Sequence, residues 1–229
     1  MKKILSFFFL ALIVLISPAQ SEEPSIPSAA VIDGTADVLF TNAQRASRSS
    51  AVKVEGLEGG HGSGTYLEMS GHHLVITARH VVDRNDIYYI STGSEKVVGQ
   101  VIWKSQTKDM AVLKIPRLTS RTAVTLARTG ELVVGEEITY TGYPSDYQLL
   151  TTKAHVAGFE NSPRSTLLQG FVWFGYSGSG GFDNSGRLRT IIFAIAVENF
   201  RGHPALLETL VYTHEISRKE VAQIRAALD

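Results

Sequence analysis

The sequence contains no cysteine, which excludes disulfide bonds and thiol-based catalysis. It also lacks an excess of charge of either sign, because 22 basic and 22 acidic side chains balance each other. No basic stretch is interleaved with aromatic residues, so the composition predicts neither nucleic acid nor an anionic membrane as a partner. The charged share of 19% and the hydrophobic share of 44% are those of an ordinary folded domain.

The longest hydrophobic run stands at the N-terminus. Lys2 and Lys3 precede an almost unbroken apolar segment at 4–16, and small residues follow at 17–19. The run is short for a membrane span but has the length and flanks of a secretory signal peptide. We therefore expect residues 1–19 to be a signal peptide, removed on export to a bacterial periplasm or the medium. An uncleaved N-terminal anchor is the alternative.

The rest of the chain divides into a linker and one mainly β domain. Residues 20–50 are rich in Ser, Ala and Pro and predict a linker with a short docking element. From residue 51 to 229, short apolar strands alternate with Gly, Asp, Asn, Ser and Pro turns, which is typical of a sandwich or barrels. A single helix is predicted at the C-terminus, where Ser217 and Glu220 form a capping box before an apolar face.

Two polar residues stand beside predicted strands in positions suited to acid–base chemistry. His80 follows the strand at 74–77, and a strand end can hold an imidazole rigidly for work as a general base. Asp109 precedes the strand at 111–115, where a carboxylate is costly to bury without a partner such as a histidine N–H. Taken singly, each has a simpler explanation, as an exposed loop histidine or a turn aspartate.

A glycine-rich segment at 175–186 carries a candidate nucleophile. Glycines around Ser177 let the backbone approach a substrate and direct adjacent amides at one point. We expect the amides of Gly175 and Ser177 to form an oxyanion hole. Ser179 is the alternative nucleophile, but that choice would place Ser177 at the oxyanion position. A flexible loop would also explain the glycines, although the apolar stretch 171–174 directly before them argues against it.

Three motifs follow one another along the chain: Gly-Ser-Gly at 62–64 before Thr-Ala-Arg-His at 77–80, Asp-Met-Ala-Val-Leu-Lys-Ile at 109–115, and Gly-Tyr-Ser-Gly at 175–178. In this order, they resemble the motifs of chymotrypsin-fold, trypsin-like serine peptidases, most closely those of bacterial HtrA and glutamyl-endopeptidase domains. The resemblance runs from about residue 52 to the terminal helix. It implies an all-β fold of two packed six-stranded antiparallel β-barrels, at about 51–117 and 118–229, with a C-terminal α-helix.

The resemblance also implies a function. It predicts a serine endopeptidase that cleaves protein or peptide substrates through a triad of His80, Asp109 and Ser177 and an acyl-enzyme, with no cofactor. Two positions depart from the family pattern. Gly180 replaces a usual proline, and Tyr176 replaces the aspartate that activates digestive zymogens. The alternatives are therefore a catalytically weak or inactive protease-fold binding or regulatory protein, and an esterase-like hydrolase.

Substrate preference follows by analogy with the family. The primary specificity pocket is expected to include four residues, Phe171, Phe174, Ile192 and Ala194. The stretches that carry these residues, 171–174 and 190–197, contain no carboxylate, and Glu198 is the first to follow. A small or apolar substrate side chain is therefore predicted instead of Lys or Arg. His72 and His73 are adjacent and would point to opposite faces of a strand, so we predict no metal site there.

Overall fold

The computed structural model describes residues 40–126, 131–161 and 164–228. Within these ranges the chain forms twelve strands and two α-helices. The predicted signal peptide at 1–19 lies outside the described residues. So does most of the segment predicted to link it to the β domain.

The first six strands form a closed antiparallel barrel. Its strands follow the order β1-β2-β3-β6-β5-β4 around the barrel. Closure leaves no unpaired edge strand, which suits a domain without disulfides. The strand bounds are β1 Ala51–Glu55, β2 His61–Met69, β3 His72–Thr77, β4 Ile87–Ser91, β5 Lys96–Lys104 and β6 Ala111–Lys114.

The remaining six strands form a second closed antiparallel barrel, in the order β10-β11-β12-β9-β8-β7. This arrangement confirms the predicted fold of two six-stranded barrels. The predicted lobe boundary at 117–118 falls within the connection between β6 and β7. The strand bounds are β7 Glu137–Gly142, β8 Leu150–Asn161, β9 Arg164–Gln169, β10 Gly180–Phe182, β11 Leu188–Phe200 and β12 His203–Glu215.

Each barrel has its own apolar interior, and a third apolar cluster joins the two. Strand β3 contributes side chains to two of these apolar regions, because successive side chains point to opposite faces. Val75 packs inside the N-terminal barrel. Leu74 and Ile76 belong to the cluster between the barrels, where they join Phe182 and Ile191 of the C-terminal barrel. The barrels are therefore held together by a continuous buried interface.

Helix α2, Arg218–Ala226, confirms the predicted C-terminal helix. Ser217 caps it and Glu220 completes the capping box. Ile224 is fully buried in the cluster between the barrels. The described helices include none that is long and apolar enough to span a membrane.

Helix α1, Asn42–Ser50, lies in the segment predicted as a linker and was not predicted. Its buried positions are small residues, Ala43, Ser47 and Ser50, so it lacks the apolar stripe that predicts an amphipathic helix. The helix docks on the C-terminal barrel, where the Ser47 hydroxyl donates to Thr141 Oγ1 at 2.6 Å.

Candidate active site

His80 and Asp109 meet because the strands that precede and follow them are neighbours. Thr77, the last residue of β3, pairs with Ala111, the first residue of β6. His80 lies on a 3₁₀ turn just after β3, and Val82 anchors that turn in the barrel interior. Asp109 lies just before β6. The pairing of β3 with β6 therefore brings both side chains to the same end of the barrel.

Asp109 holds His80 through two hydrogen bonds. The Asp109 Oδ2 atom lies 2.7 Å from His80 Nδ1, and Oδ1 accepts the His80 backbone N–H at 2.9 Å. Burial opposes ionisation of the carboxyl, but the hydrogen bonds and charge of His80 outweigh it, so the pKa of Asp109 lies below its usual value. With Nδ1 engaged by a carboxylate, Nε2 is the ring nitrogen free to act on a substrate or nucleophile.

Ser177 lies on the same cleft as His80. It belongs to a loop at 174–180, which we call the glycine loop. Its carbonyl accepts the backbone N–H of Ser63 at 2.7 Å, which ties the loop to β2, the neighbour of β3. A cleft of about 330 Å³ at the barrel junction is lined by His80, Phe174, Gly175 and Ser177, among others. We call it the junction cleft.

The two candidate nucleophiles differ in accessibility. Ser177 is half-buried and lines the junction cleft. Ser179 is fully buried, and its hydroxyl has no hydrogen-bond partner among the described residues. A serine that no solvent molecule reaches is poorly placed to attack a substrate, so accessibility favours Ser177.

The backbone of the glycine loop leaves two amides without a protein acceptor among the described residues. The carbonyl of Phe174 accepts the N–H of Ser145 at 2.8 Å. In a trans peptide the N–H points opposite to the carbonyl, so the N–H of Gly175 faces away from Ser145. Within the described residues, neither the Gly175 amide nor the Ser177 amide donates a hydrogen bond to the protein. Both are available to an incoming oxyanion.

Gly175 and Gly178 are required by the loop geometry. Gly175 has φ of +100°, and a Cβ there would lie 2.4 Å from the Tyr143 carbonyl oxygen. Gly178 has φ of +94°, and a Cβ there would lie 2.0 Å from the Ser63 carbonyl oxygen. Both positions combine a left-handed backbone with a close approach to another strand or loop, which only glycine permits.

Sequence reasoning missed the residue that anchors the glycine loop. Ser63 is fully buried. Its hydroxyl donates to the Gly175 carbonyl at 2.7 Å and accepts from the Tyr143 N–H at 2.9 Å. Its only sequence signal is its place in the Gly-Ser-Gly motif at 62–64.

Of the four residues predicted to form the specificity pocket, Phe174 lines the junction cleft and is 63% exposed. The Ile192 side chain lies in the apolar interior of the C-terminal barrel, while its backbone bonds the glycine loop at Gly178 and Ser179. Phe171 packs edge-on against Tyr176 with 6.3 Å between ring centroids, and Ala194 is half-buried in β11. Of these four residues, Phe174 is the one that lines the junction cleft within the described part of the chain.

The histidines outside the candidate triad form no metal site with the acidic residues that the structure describes. His61 lines the junction cleft, and its Nε2 lies 2.9 Å from the Tyr143 carbonyl oxygen. His73 Nδ1 lies 2.8 Å from the Tyr66 hydroxyl.

Two antiparallel six-stranded barrels, with a His–Asp pair and a Gly-x-Ser-Gly loop at their junction, define a chymotrypsin-like fold. The chain belongs to the trypsin-like peptidase family, because the model of the trypsin-like peptidase domain matches residues 62–191. A search of curated proteins finds no match.

Solved structures support the same fold. An inactive form of Rv3671c from M. tuberculosis H37Rv has a TM-score of 0.61 and 19% identity, covering 87% of this chain and 93% of that one. The serine endoprotease from Yersinia pestis has a TM-score of 0.62 and 18% identity, covering 82% of this chain and 65% of that one.

Proposed function

We propose that the chain is a serine endopeptidase that hydrolyses peptide bonds through His80, Asp109 and Ser177. The observation that carries this proposal is the pair of hydrogen bonds, 2.7 and 2.9 Å, by which Asp109 orients His80 beside the cleft that Ser177 lines. His80 Nε2 takes the Ser177 hydroxyl proton as the serine oxygen attacks the peptide carbonyl. The amides of Gly175 and Ser177 bind the resulting oxyanion.

The second half of the reaction uses the same groups. His80 returns the proton to the nitrogen of the leaving peptide, and an acyl-enzyme on Ser177 remains. Water, deprotonated by His80, then attacks the acyl carbonyl and releases the second product. The cleft is open, with the His80 side chain 47% exposed. An open cleft can admit an extended chain, which supports cleavage within polypeptides.

The two departures from the family pattern support an ordered glycine loop. The Gly180 N–H, which a proline would lack, donates to Thr65 Oγ1 at 3.0 Å. Tyr176 is fully buried, and its hydroxyl lies 3.0 Å from Thr152 Oγ1. Each residue therefore holds the loop through contacts of its own. No observation on Gly180 or Tyr176 favours a catalytically inactive protease fold.

A fluorophosphonate probe tests the proposal directly. We expect the purified protein to be labelled on one serine, and Ser177→Ala to abolish the labelling. Ser179→Ala is the matched control, because its buried hydroxyl makes no hydrogen bond that would be lost. Absence of labelling of the wild-type protein, or labelling that survives Ser177→Ala, would refute the triad. Cleavage of casein, compared with turnover of a simple ester, separates a peptidase from an esterase.

We further propose that the protein is exported, on the strength of the charged, apolar and small-residue regions at 1–19. The mature protein should then begin near Gln20. N-terminal sequencing of protein recovered from the cell envelope or the medium checks this. Recovery of an intact N-terminus would favour the retained anchor instead.

A further inference from the structure

The junction cleft carries charged residues that the proposed catalytic steps do not use. Besides His80, its titratable side chains are Glu58, His61, Arg84 and the buried Tyr88. Arg84 is exposed, and its guanidinium makes no ion pair with any residue that the structure describes. An unpaired cation in a substrate cleft is available to a substrate anion.

The position of Arg84 relative to His80 decides which part of a substrate it meets. The leaving nitrogen receives its proton from His80, so the departing peptide lies on the imidazole side of Ser177. Arg84 comes four residues after His80, just past the 3₁₀ turn that carries it, and lines the same cleft with Val81. The residues that follow the scissile bond therefore pass along this wall.

The backbone at Arg84 is held in place from inside the barrel. The buried Tyr88 hydroxyl accepts the N–H of Arg84 at 3.1 Å and that of Asn85 at 3.0 Å. A fixed backbone reduces the entropy lost when the guanidinium binds. A guanidinium can also bind a carboxylate through two parallel hydrogen bonds.

Two nearby acids, Asp83 and Glu58, do not neutralise Arg84. Asp83 lies 3.3 Å from Arg79 and 3.8 Å from Lys104, so its charge is already shared. Glu58 lines the cleft but stands in a turn where Gly59 and Gly60 both have positive φ. A carboxylate on such a glycine-rich turn is less preorganised than Arg84 for binding a charged side chain.

We propose that Arg84 selects substrates with an acidic side chain among the first few residues after the scissile bond. This inference rests on the proposed peptidase function and adds a specificity determinant to it. The guanidinium pairs with the substrate carboxylate as the peptide binds. Because the pair is partly exposed to solvent, its contribution is modest and weakens with salt.

The test compares matched peptides on one enzyme preparation. A casein digest, read by mass spectrometry, first locates a cleaved bond. Quenched fluorogenic peptides around that bond then carry Glu, Gln or Lys at each of the next positions in turn. We expect kcat/KM at one position to favour Glu over Lys, and Arg84→Gln to reduce that ratio about three- to fivefold. Arg84→Glu should reverse the preference.

A second variant controls for net charge. Arg117 is exposed, makes no ion pair within the described part of the chain, and lines a separate cleft with Tyr66 and His73. Arg117→Glu changes the net charge as Arg84→Glu does. It should keep the wild-type ratio of kcat/KM for the Glu peptide to kcat/KM for the Lys peptide. Raising the salt to about 0.5 M should shrink the wild-type preference.

The outcomes separate this inference from the proposed function. Cleavage with a Glu-to-Lys ratio that Arg84→Gln and Arg84→Glu leave unchanged would overturn the role of Arg84 and leave the peptidase intact. A ratio that shifts equally in Arg117→Glu would also overturn it. Failure of the wild-type protein to cleave any peptide, together with no probe labelling of Ser177, would overturn both.

Discussion

Replacing Ser63 by alanine should loosen the glycine loop without disturbing the strands that frame it. The change removes a fully buried hydroxyl that bonds the Gly175 carbonyl at 2.7 Å and the Tyr143 N–H at 2.9 Å. The Ser63 backbone keeps its bonds to the Ser177 carbonyl and to Thr77. Two buried polar groups then lack a partner, at a cost of about 1–3 kcal/mol each.

We therefore expect Ser63→Ala to lower the free energy of unfolding by about 2–6 kcal/mol, measured by urea titration with an unchanged m value. Probe labelling of Ser177 should slow by about 10- to 100-fold, since loss of a whole oxyanion donor costs about 100-fold or more. A stability loss with normal labelling would refute the link between Ser63 and the oxyanion amides.

Ser47→Ala is the matched control for this experiment. It also removes a buried serine hydroxyl, but one that donates to Thr141 on β7 and not to the glycine loop. It should cost about 1 kcal/mol and leave the labelling rate unchanged. Equal effects of the two variants, on both stability and labelling, would show that Ser63 has no special role.

Three further predictions follow from the hydrogen bonds and buried charges. Asp109→Asn should lower kcat on a cleaved peptide about 10⁴-fold, because the imidazole loses its orienting carboxylate. For Asp183 and Glu220, burial opposes ionisation but hydrogen bonds and cationic partners outweigh it, so each pKa is lowered. Their stabilisation is complete above the ordinary carboxyl pKa of about 4 and is lost as the pH falls further, so urea titrations should show declining stability below about pH 4. Gly180→Pro should cost at least about 2 kcal/mol in thermal or urea unfolding, because it removes the N–H that bonds Thr65.

Much of the fold could be predicted because its signals are local. The short apolar runs of the N-terminal barrel each became a strand, and the Ser217–Glu220 capping box marked the start of α2. The candidate triad came from the order of three short motifs. Each of these signals depends on residues close together in the chain, so the sequence alone contained them.

Features that depend on distant contacts could not be predicted. Helix α1 buries only small residues, so its docking surface exists only once β7 and β10 are formed. Strands β11 and β12 pair with each other up to a turn at Arg201–Gly202, a length that depends on contacts between the two strands. Both turn residues have positive φ, as a type I′ hairpin turn requires. Polar residues near this turn interrupt the alternation of apolar and polar residues that would predict a strand.

The departures at positions 176 and 180 show why a motif cannot be judged apart from its surroundings. A Cβ at Gly180 would lie 2.4 Å from Thr65 Oγ1 and 2.5 Å from Leu188 Cδ1, so the space that a proline would need is already filled. Tyr176 places an aromatic ring in the C-terminal barrel, edge-on to Tyr140 at 5.5 Å. A buried aspartate at that position would need a cationic partner, whereas a buried tyrosine needs one hydroxyl contact and apolar neighbours. The loop is thus ordered by contacts from within the C-terminal barrel.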